Sequence, residues 1–99
     1  MTNDEIREYL EAYIQDEDEL NNIVLFENPS YADALVGISH DNRLIYDYNK
    51  MVKFLVEHDK MEPDEAMEFI DYNTLRALPY MSAPGLRIPL IMMPTEDYI

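Results

Sequence analysis

Residues 43–58 read RLIYDYNKMVKFLVEH, and this stretch decides the fold because a strand pattern changes to a helix pattern inside it. Arg43 to Asp47 is the second arm of a predicted hairpin. Asp47 is an aspartate, one of the residue types that cap the N-terminus of a helix. The apolar residues that follow recur at helical spacing and form one stripe: Tyr48, Met51, Val52, Leu55 and Val56. The sequence therefore predicts a strand that passes directly into a helix.

The first arm of the hairpin lies just upstream, from Ala34 to Ser39. The turn between the arms contains His40, Asp41 and Asn42. Asn42 is the residue among these that best tolerates a left-handed backbone.

The N-terminal region predicts a helix, a loop and a short strand. Thr2 with Glu5 three residues later is a capping box, which begins a helix. Gln15 to Glu19 is an acidic run that we interpret as a solvated loop, and Ile23 to Phe26 is a predicted strand that ends before Pro29. The apolar stripe of the helix is Ile6, Tyr9, Leu10, Tyr13 and Ile14.

The second half predicts another helix and a final strand. Pro63 suits the first position of a helix, and Pro79 prevents its continuation. The residues expected to face inward are Ala66, Phe69, Ile70, Asn73 and Ala77. Leu86 to Met93 is the predicted last strand, and Pro89 inside it indicates a sheet edge or a bulge.

These elements predict one α+β domain over residues 1–99, in the order α-β-β-β-α-α-β. We expect a small, largely antiparallel sheet against which the N-terminal helix and a helical hairpin pack. Leu55 and Ile70 are expected to be buried in that hairpin.

A resemblance covers about half of the chain, from Ala34 through Met81. It rests on the hairpin, on YDY at 46–48, on MEPDEA at 61–66 and on FIDYNTLRALPY at 69–80. In this pattern the chain resembles uncharacterised small acidic proteins of bacteria and of their phages or mobile elements. The resemblance implies a prokaryotic or phage setting, and it carries over no activity and no active site.

The composition combines a net charge of −14 with 47% hydrophobic residues, which indicates a folded acidic domain rather than a disordered chain. Such a surface is repelled by nucleic acid and by anionic lipid and is attracted to basic proteins. The chain has no cysteine, and we recognise neither a signal peptide nor a membrane-spanning segment. We therefore expect a cytoplasmic protein whose partner is a basic protein, with no direct binding of nucleic acid or membrane.

No residue pattern points to catalysis. His40 and His58 have no second histidine at metal-ligand spacing, and none of the three serines lies in a nucleophile elbow. Asp16 and Asp18 begin a calcium-loop pattern, but Leu20 occupies the next ligand position. We expect no metal, no cofactor and no enzymatic activity.

A repeated spacing of acids is the most distinctive functional signal. We call Asp4, Glu8 and Glu11 the first ridge, and Asp64, Glu68 and Asp71 the second ridge. Each set follows the spacing i, i+4, i+7 opposite an apolar stripe, so each helix is expected to present a row of carboxylates to solvent. Like charges at this spacing cost a few tenths of a kcal/mol. The alternative is a plain solvated helix face, since acidic residues are common on exposed helix faces and favourable in first turns.

Two classes of function stay open. If the ridges bind a partner, rows of carboxylates imitate backbone phosphates and occupy a nucleic-acid-binding groove, as an anti-CRISPR or anti-restriction inhibitor of host defence does. The alternative is an interaction module, or a homo-oligomer, that docks through the apolar strand Leu86 to Met93.

Overall fold

The computed structural model describes residues 1–81 and 83–95, and it shows an α+β fold with a small mixed sheet. The helices are α1 (Asn3–Tyr13), α2 (Glu17–Asn22), α3 (Tyr48–His58) and α4 (Pro63–Ile70), and the strands are β1 (Leu35–Ile38), β2 (Leu44–Asp47) and β3 (Leu90–Met92). The order is therefore α-α-β-β-α-α-β. No helix among the described residues has the length and apolar character needed to cross a membrane.

The sheet has β2 at its centre and β1 and β3 at its edges. β1 and β2 are antiparallel and form the predicted hairpin, in which Asn42 adopts a φ of 63°. β2 and β3 are parallel. The expectation of a largely antiparallel sheet is therefore wrong, because the C-terminal chain returns alongside β2 in the same direction.

The segment from Asp47 to Ile70 confirms the prediction that a strand passes directly into a helix. The Asp47 carboxylate accepts hydrogen bonds from the amides of Asn49 and Lys50, which begins α3. α3 packs against β2 and α4. Leu55 and Ile70 are both fully buried, as expected.

The acidic run at residues 15–19 is a loop only at Gln15 and Asp16, which corrects our interpretation, because residues 17–19 form the first turn of α2. Asp16 caps α2, because its carboxylate accepts from the amides of Asp18 and Glu19. Acidic side chains in a first turn also interact favourably with the positive end of the helix dipole. The same carboxylates that suggested a solvated loop therefore begin a helix.

The predicted strand at residues 23–26 is also wrong. Only Ile23 forms a β-bridge, to Arg87. Ile23 and Phe26 are both buried, which is a spacing of three rather than the two of a strand. The Phe26 carbonyl accepts from the side-chain amide of Asn3 at 2.7 Å, so this segment is tied to α1 instead of to a sheet.

The C-terminal strand is shorter than the predicted Leu86 to Met93. Arg87 forms its bridge with Ile23, and regular pairing resumes only at Leu90, after Pro89. Proline has no amide to donate to a ladder. The prediction that this strand lies at a sheet edge is confirmed.

A π-helical turn, Asp71–Leu75, follows α4 and changes which side chains face inward. The Arg76 amide donates to the Asp71 carbonyl, five residues earlier. The wider turn shifts the inward position by one residue, so that Thr74 is buried and Asn73 is exposed. The expectation that Asn73 faces inward is therefore wrong.

α1 buries a narrower stripe than predicted. Thr2 and Glu5 form the expected capping box, and Ile6 and Leu10 are buried. Tyr9 and Tyr13 are each 66% exposed and stack on one another, with their ring centroids 6.3 Å apart. These two rings thus belong to the surface, not to the core.

Candidate partner-binding surface

The first ridge lies on the exposed face of α1. Asp4, Glu8 and Glu11 are all exposed, in agreement with the helical spacing. Arg7 partly neutralises this ridge, because its guanidinium lies 3.9 Å from the Asp4 carboxylate and 2.9 Å from that of Glu27. Glu8 and Glu11 form no ion pair within the described residues.

The second ridge begins in the first turn of α4 and ends at the start of the π-helical turn. Asp64, Glu68 and Asp71 are exposed, and none of them pairs with a cation of the described chain. The nearest arginine in sequence, Arg76, stacks over the Tyr72 ring with its guanidinium carbon 4.2 Å from the ring centroid. The second ridge thus keeps its charge without an internal counterion.

Most of the basic side chains contact groups of the same molecule. Arg87 donates to the Glu19 carboxylate at 2.7 Å, and Arg43 donates to the Ile88 carbonyl at 2.9 Å. Lys53 lies 3.9 Å from Glu57. Because these cations contact groups of the same molecule, the unpaired charge at the surface is predominantly negative.

Two carboxylates show how the internal pairs act. The hydrogen bond from Arg87, with a second from Asn42, holds the pKa of Glu19 below its usual range. The N-terminal ammonium of Met1 donates to Asp33 at 2.9 Å and lowers the pKa of that carboxyl. Both contacts join distant parts of the chain. The carboxylates of Glu19 and Asp33 are therefore less available to a partner than the ridge carboxylates are.

The apolar C-terminal strand is partly exposed. Met92 and Met93 are 47% and 39% exposed, while Leu90 and Ile91 are half-buried. On its far side β3 has no neighbouring strand in the described part of the chain. The surface required by the docking alternative is therefore present.

The histidines and the calcium-like acids have local roles. His58 stacks on Phe54 with ring centroids 4.5 Å apart, and His40 lies in the exposed hairpin turn. Asp16 uses its carboxylate as the cap of α2. Over residues 1–81 and 83–95, no three side chains of the metal-binding types are grouped to hold an ion.

A cavity of about 450 Å³ lies between residues 23–29 and the helical turns of residues 73–81. Tyr31 and Thr74 line it, and both side chains are buried. Burial raises the pKa of the Tyr31 hydroxyl, and the neighbouring Thr74 offsets only part of that shift. No signal in the sequence predicts this cavity, because it depends on the π-helical turn.

Comparison with protein-family models, with curated proteins and with solved structures found no match for this chain. Function is therefore inferred from the chemistry of the surface.

Proposed function

We propose that this protein is a non-enzymatic acidic binder of a basic protein partner, and that its two ridges imitate the phosphates of a nucleic acid. The observation that carries the proposal is the exposure of all six ridge carboxylates, while arginines of the chain are engaged in internal contacts. A partner's Lys and Arg side chains would supply the missing counterions.

The spacing of the acids supports mimicry. Residues 4–11 read DEIREYLE and residues 64–71 read DEAMEFID, so each segment places four acids within eight residues. At a rise of 1.5 Å per residue this is about one charge per 3.5 Å along the helix axis. One strand of DNA carries a phosphate about every 3.4 Å. The linear charge density of residues 64–71 is therefore similar to that of a DNA strand, whereas Arg7 lowers the net charge density of residues 4–11.

The rows have an energetic cost, which also supports a use. Like charges four residues apart destabilise a helix by about 0.2–0.5 kcal/mol per pair. Arg7 reduces this repulsion at Asp4 in the first ridge. No cation among the described residues reduces it in the second ridge. A basic groove would relieve the repulsion on binding.

The biological setting we propose is inhibition of host defence, of the anti-CRISPR or anti-restriction type, in the cytoplasm of a bacterial cell. Proteins of those defences bind nucleic acid through basic grooves, and occupation of such a groove would block the nucleic acid. The setting rests on analogy with phosphate mimicry and on the resemblance to small acidic proteins of bacteria and mobile elements.

Capture from a bacterial lysate, followed by competition, tests the proposal. The tagged protein is incubated with lysate at low and at high salt, and each captured protein is then challenged with duplex DNA or RNA. We expect a captured basic protein that is released by salt and displaced by nucleic acid. A partner that resists both treatments would contradict phosphate mimicry.

The second candidate function is docking through β3, as a partner module or as a homo-oligomer. The exposure of Met92 and Met93 beside a free sheet edge favours it. Apolar docking depends weakly on salt, whereas ridge binding weakens steeply as salt is added. The Met92→Lys variant should lose docking at β3 and keep ridge binding. Sedimentation of the parent protein and of this variant measures the oligomeric state directly.

A further inference from the structure

An apolar groove of about 240 Å³ runs between α1 and β1. Ile6, Tyr9 and Leu10 form the helical wall, and the residues of β1 from Leu35 to Ile38 form the other wall. Leu44 of β2 and Met1 complete the lining. The rim is exposed: Tyr9 is 66% and Val36 is 42% accessible to solvent. The groove therefore offers apolar contact area that a partner can reach.

Among the described residues no strand pairs with β1 on the side away from β2, since β1 is an edge of the sheet. The Ser39 amide donates to the Arg43 carbonyl at 2.8 Å. Hydrogen-bonded and non-bonded pairs alternate along an antiparallel ladder, so the amide and carbonyl of Ile38 point towards the free edge. At Gly37 there is no side chain, and a Cβ added there would meet no atom within 4 Å. The pairing of β1 with β2 is irregular between Leu35 and Gly37, so the backbone groups that an approaching strand can pair with are those of Ile38.

The charge around the groove selects its occupant. Glu5 is exposed and lies four residues before Tyr9 on the same side of α1, whereas Asp33 is paired with the Met1 ammonium at one end of the groove. The molecule as a whole carries −14. A second copy of this chain would bring the same negative charge to the edge, so repulsion disfavours self-pairing and favours a basic segment.

We propose that the groove between α1 and β1 binds an extended, basic segment of a partner protein, which adds to β1 as a further strand. Alternate apolar side chains of the segment enter the groove beside Tyr9 and Val36, and its Lys or Arg side chains face the surrounding acids. This inference rests on the proposed function only in that the partner is basic, and it adds a site that neither ridge contains.

The probe is a capped peptide of four Lys-Val repeats, used at concentrations where the peptide alone stays unassembled. The control peptide has the same composition in two blocks, four lysines followed by four valines, and cannot place apolar side chains on alternate positions. We expect the alternating peptide to bind at least fivefold more tightly, by calorimetry. Backbone amide NMR shifts should be largest at Val36, Gly37 and Ile38.

Two matched variants locate the binding. Val36→Lys places a charge on the groove rim, and Met67→Lys makes the same change on α4 at a residue that is also 42% exposed. Lysine on an edge strand opposes strand addition. We expect Val36→Lys to weaken peptide binding at least fivefold beyond the loss seen with Met67→Lys. Both variants alter exposed positions, and circular dichroism verifies that they are folded.

Equal losses in the two variants would mean that overall charge holds the peptide, and would overturn the groove proposal while leaving the ridges untouched. Equal affinity for the two peptides, absence of binding, or shifts centred on β3 would overturn it as well. A separate experiment tests the proposed function. Ridge variants that keep full affinity for a captured partner would contradict it without affecting the groove proposal.

Discussion

α1 and α4 carry the same acidic pattern in different surroundings. Each helix has two buried apolar residues; α1 carries all three exposed carboxylates of the first ridge, and α4 carries Asp64 and Glu68 and is followed directly by Asp71. In α1, Arg7 lies next to Asp4 and an apolar groove follows the helix on its β1 side. In α4, the ridge has no cation partner among the described residues, and the helix packs on α3. The same spacing thus gives a partly neutralised surface in one helix and a fully charged one in the other.

This difference suggests a division of roles. The second ridge would supply most of the salt-dependent attraction, because its charge is not reduced by a neighbour. The surface of α1 would combine fewer effective charges with apolar contact at Tyr9.

The largest effect is expected in the core that holds both helices in place. Replacing Ile6, Leu55 or Ile70 with alanine should each lower the free energy of unfolding by about 2–5 kcal/mol, since all three are buried. Urea unfolding measures the loss. Met67→Ala, on the exposed side of α4, is the control and should change stability by about 0.5 kcal/mol or less. An unchanged midpoint for Ile70→Ala would mean that α4 is not anchored as described.

A smaller effect concerns Glu19, an acid used inside the molecule instead of on a ridge. Arg87 holds its pKa low in the folded state, so the pair stabilises the fold above the ordinary pKa of a glutamate. That contribution is lost as the pH falls through the folded-state pKa. Glu19→Gln should therefore be less stable than the parent at neutral pH, with a difference that shrinks in acid.

Thermal unfolding from neutral pH down to acid measures this difference. Glu11→Gln is the matched control, because Glu11 is exposed and forms no ion pair with a described residue. It should show no loss of stability at neutral pH. A loss in the control as large as that in Glu19→Gln would contradict the distinction between internal and ridge carboxylates.

The smallest effect is expected at Arg7. Arg7→Gln changes the net charge from −14 to −15 and removes the cation beside the first ridge. Affinity for a captured basic partner should rise by about two- to threefold at low salt and be unchanged at high salt. Lys53→Gln makes the same charge change on α3 and is the control. An equal gain in the control would show that only the net charge matters.

Local sequence signals predicted the hairpin, the start of α3 and the start of α4. These signals act locally: Asn42 and Pro63 act through their own backbone, and the Asp47 side chain acts on the amides two and three residues later. Their effects can therefore be recognised without the tertiary structure. The start of α2 had such a signal as well, in Asp16 followed by three acids. It was misread because acidic runs also suit loops.

Other features depend on tertiary contacts and could not be predicted. The π-helical turn that exposes Asn73 and buries Thr74 has no sequence signature. The parallel pairing of β2 with β3 joins residues far apart in sequence, such as Ile45 and Leu90, and local patterns carry no information about it. The exposure of all six ridge residues followed from helical spacing, whereas the groove beside Tyr9 was missed because Tyr9 was assigned to the core stripe.

Neutralisation of each ridge separately tests the central claim most directly. One variant carries Asp4→Asn, Glu8→Gln and Glu11→Gln, and the other carries Asp64→Asn, Glu68→Gln and Asp71→Asn. Affinity for the captured partner is measured for both variants and the parent across salt concentrations. We predict unchanged or slightly higher stability, and weaker binding at low salt by several kcal/mol, with the larger loss and the flatter salt dependence for the second ridge. Full binding by both variants at every salt concentration would contradict phosphate mimicry.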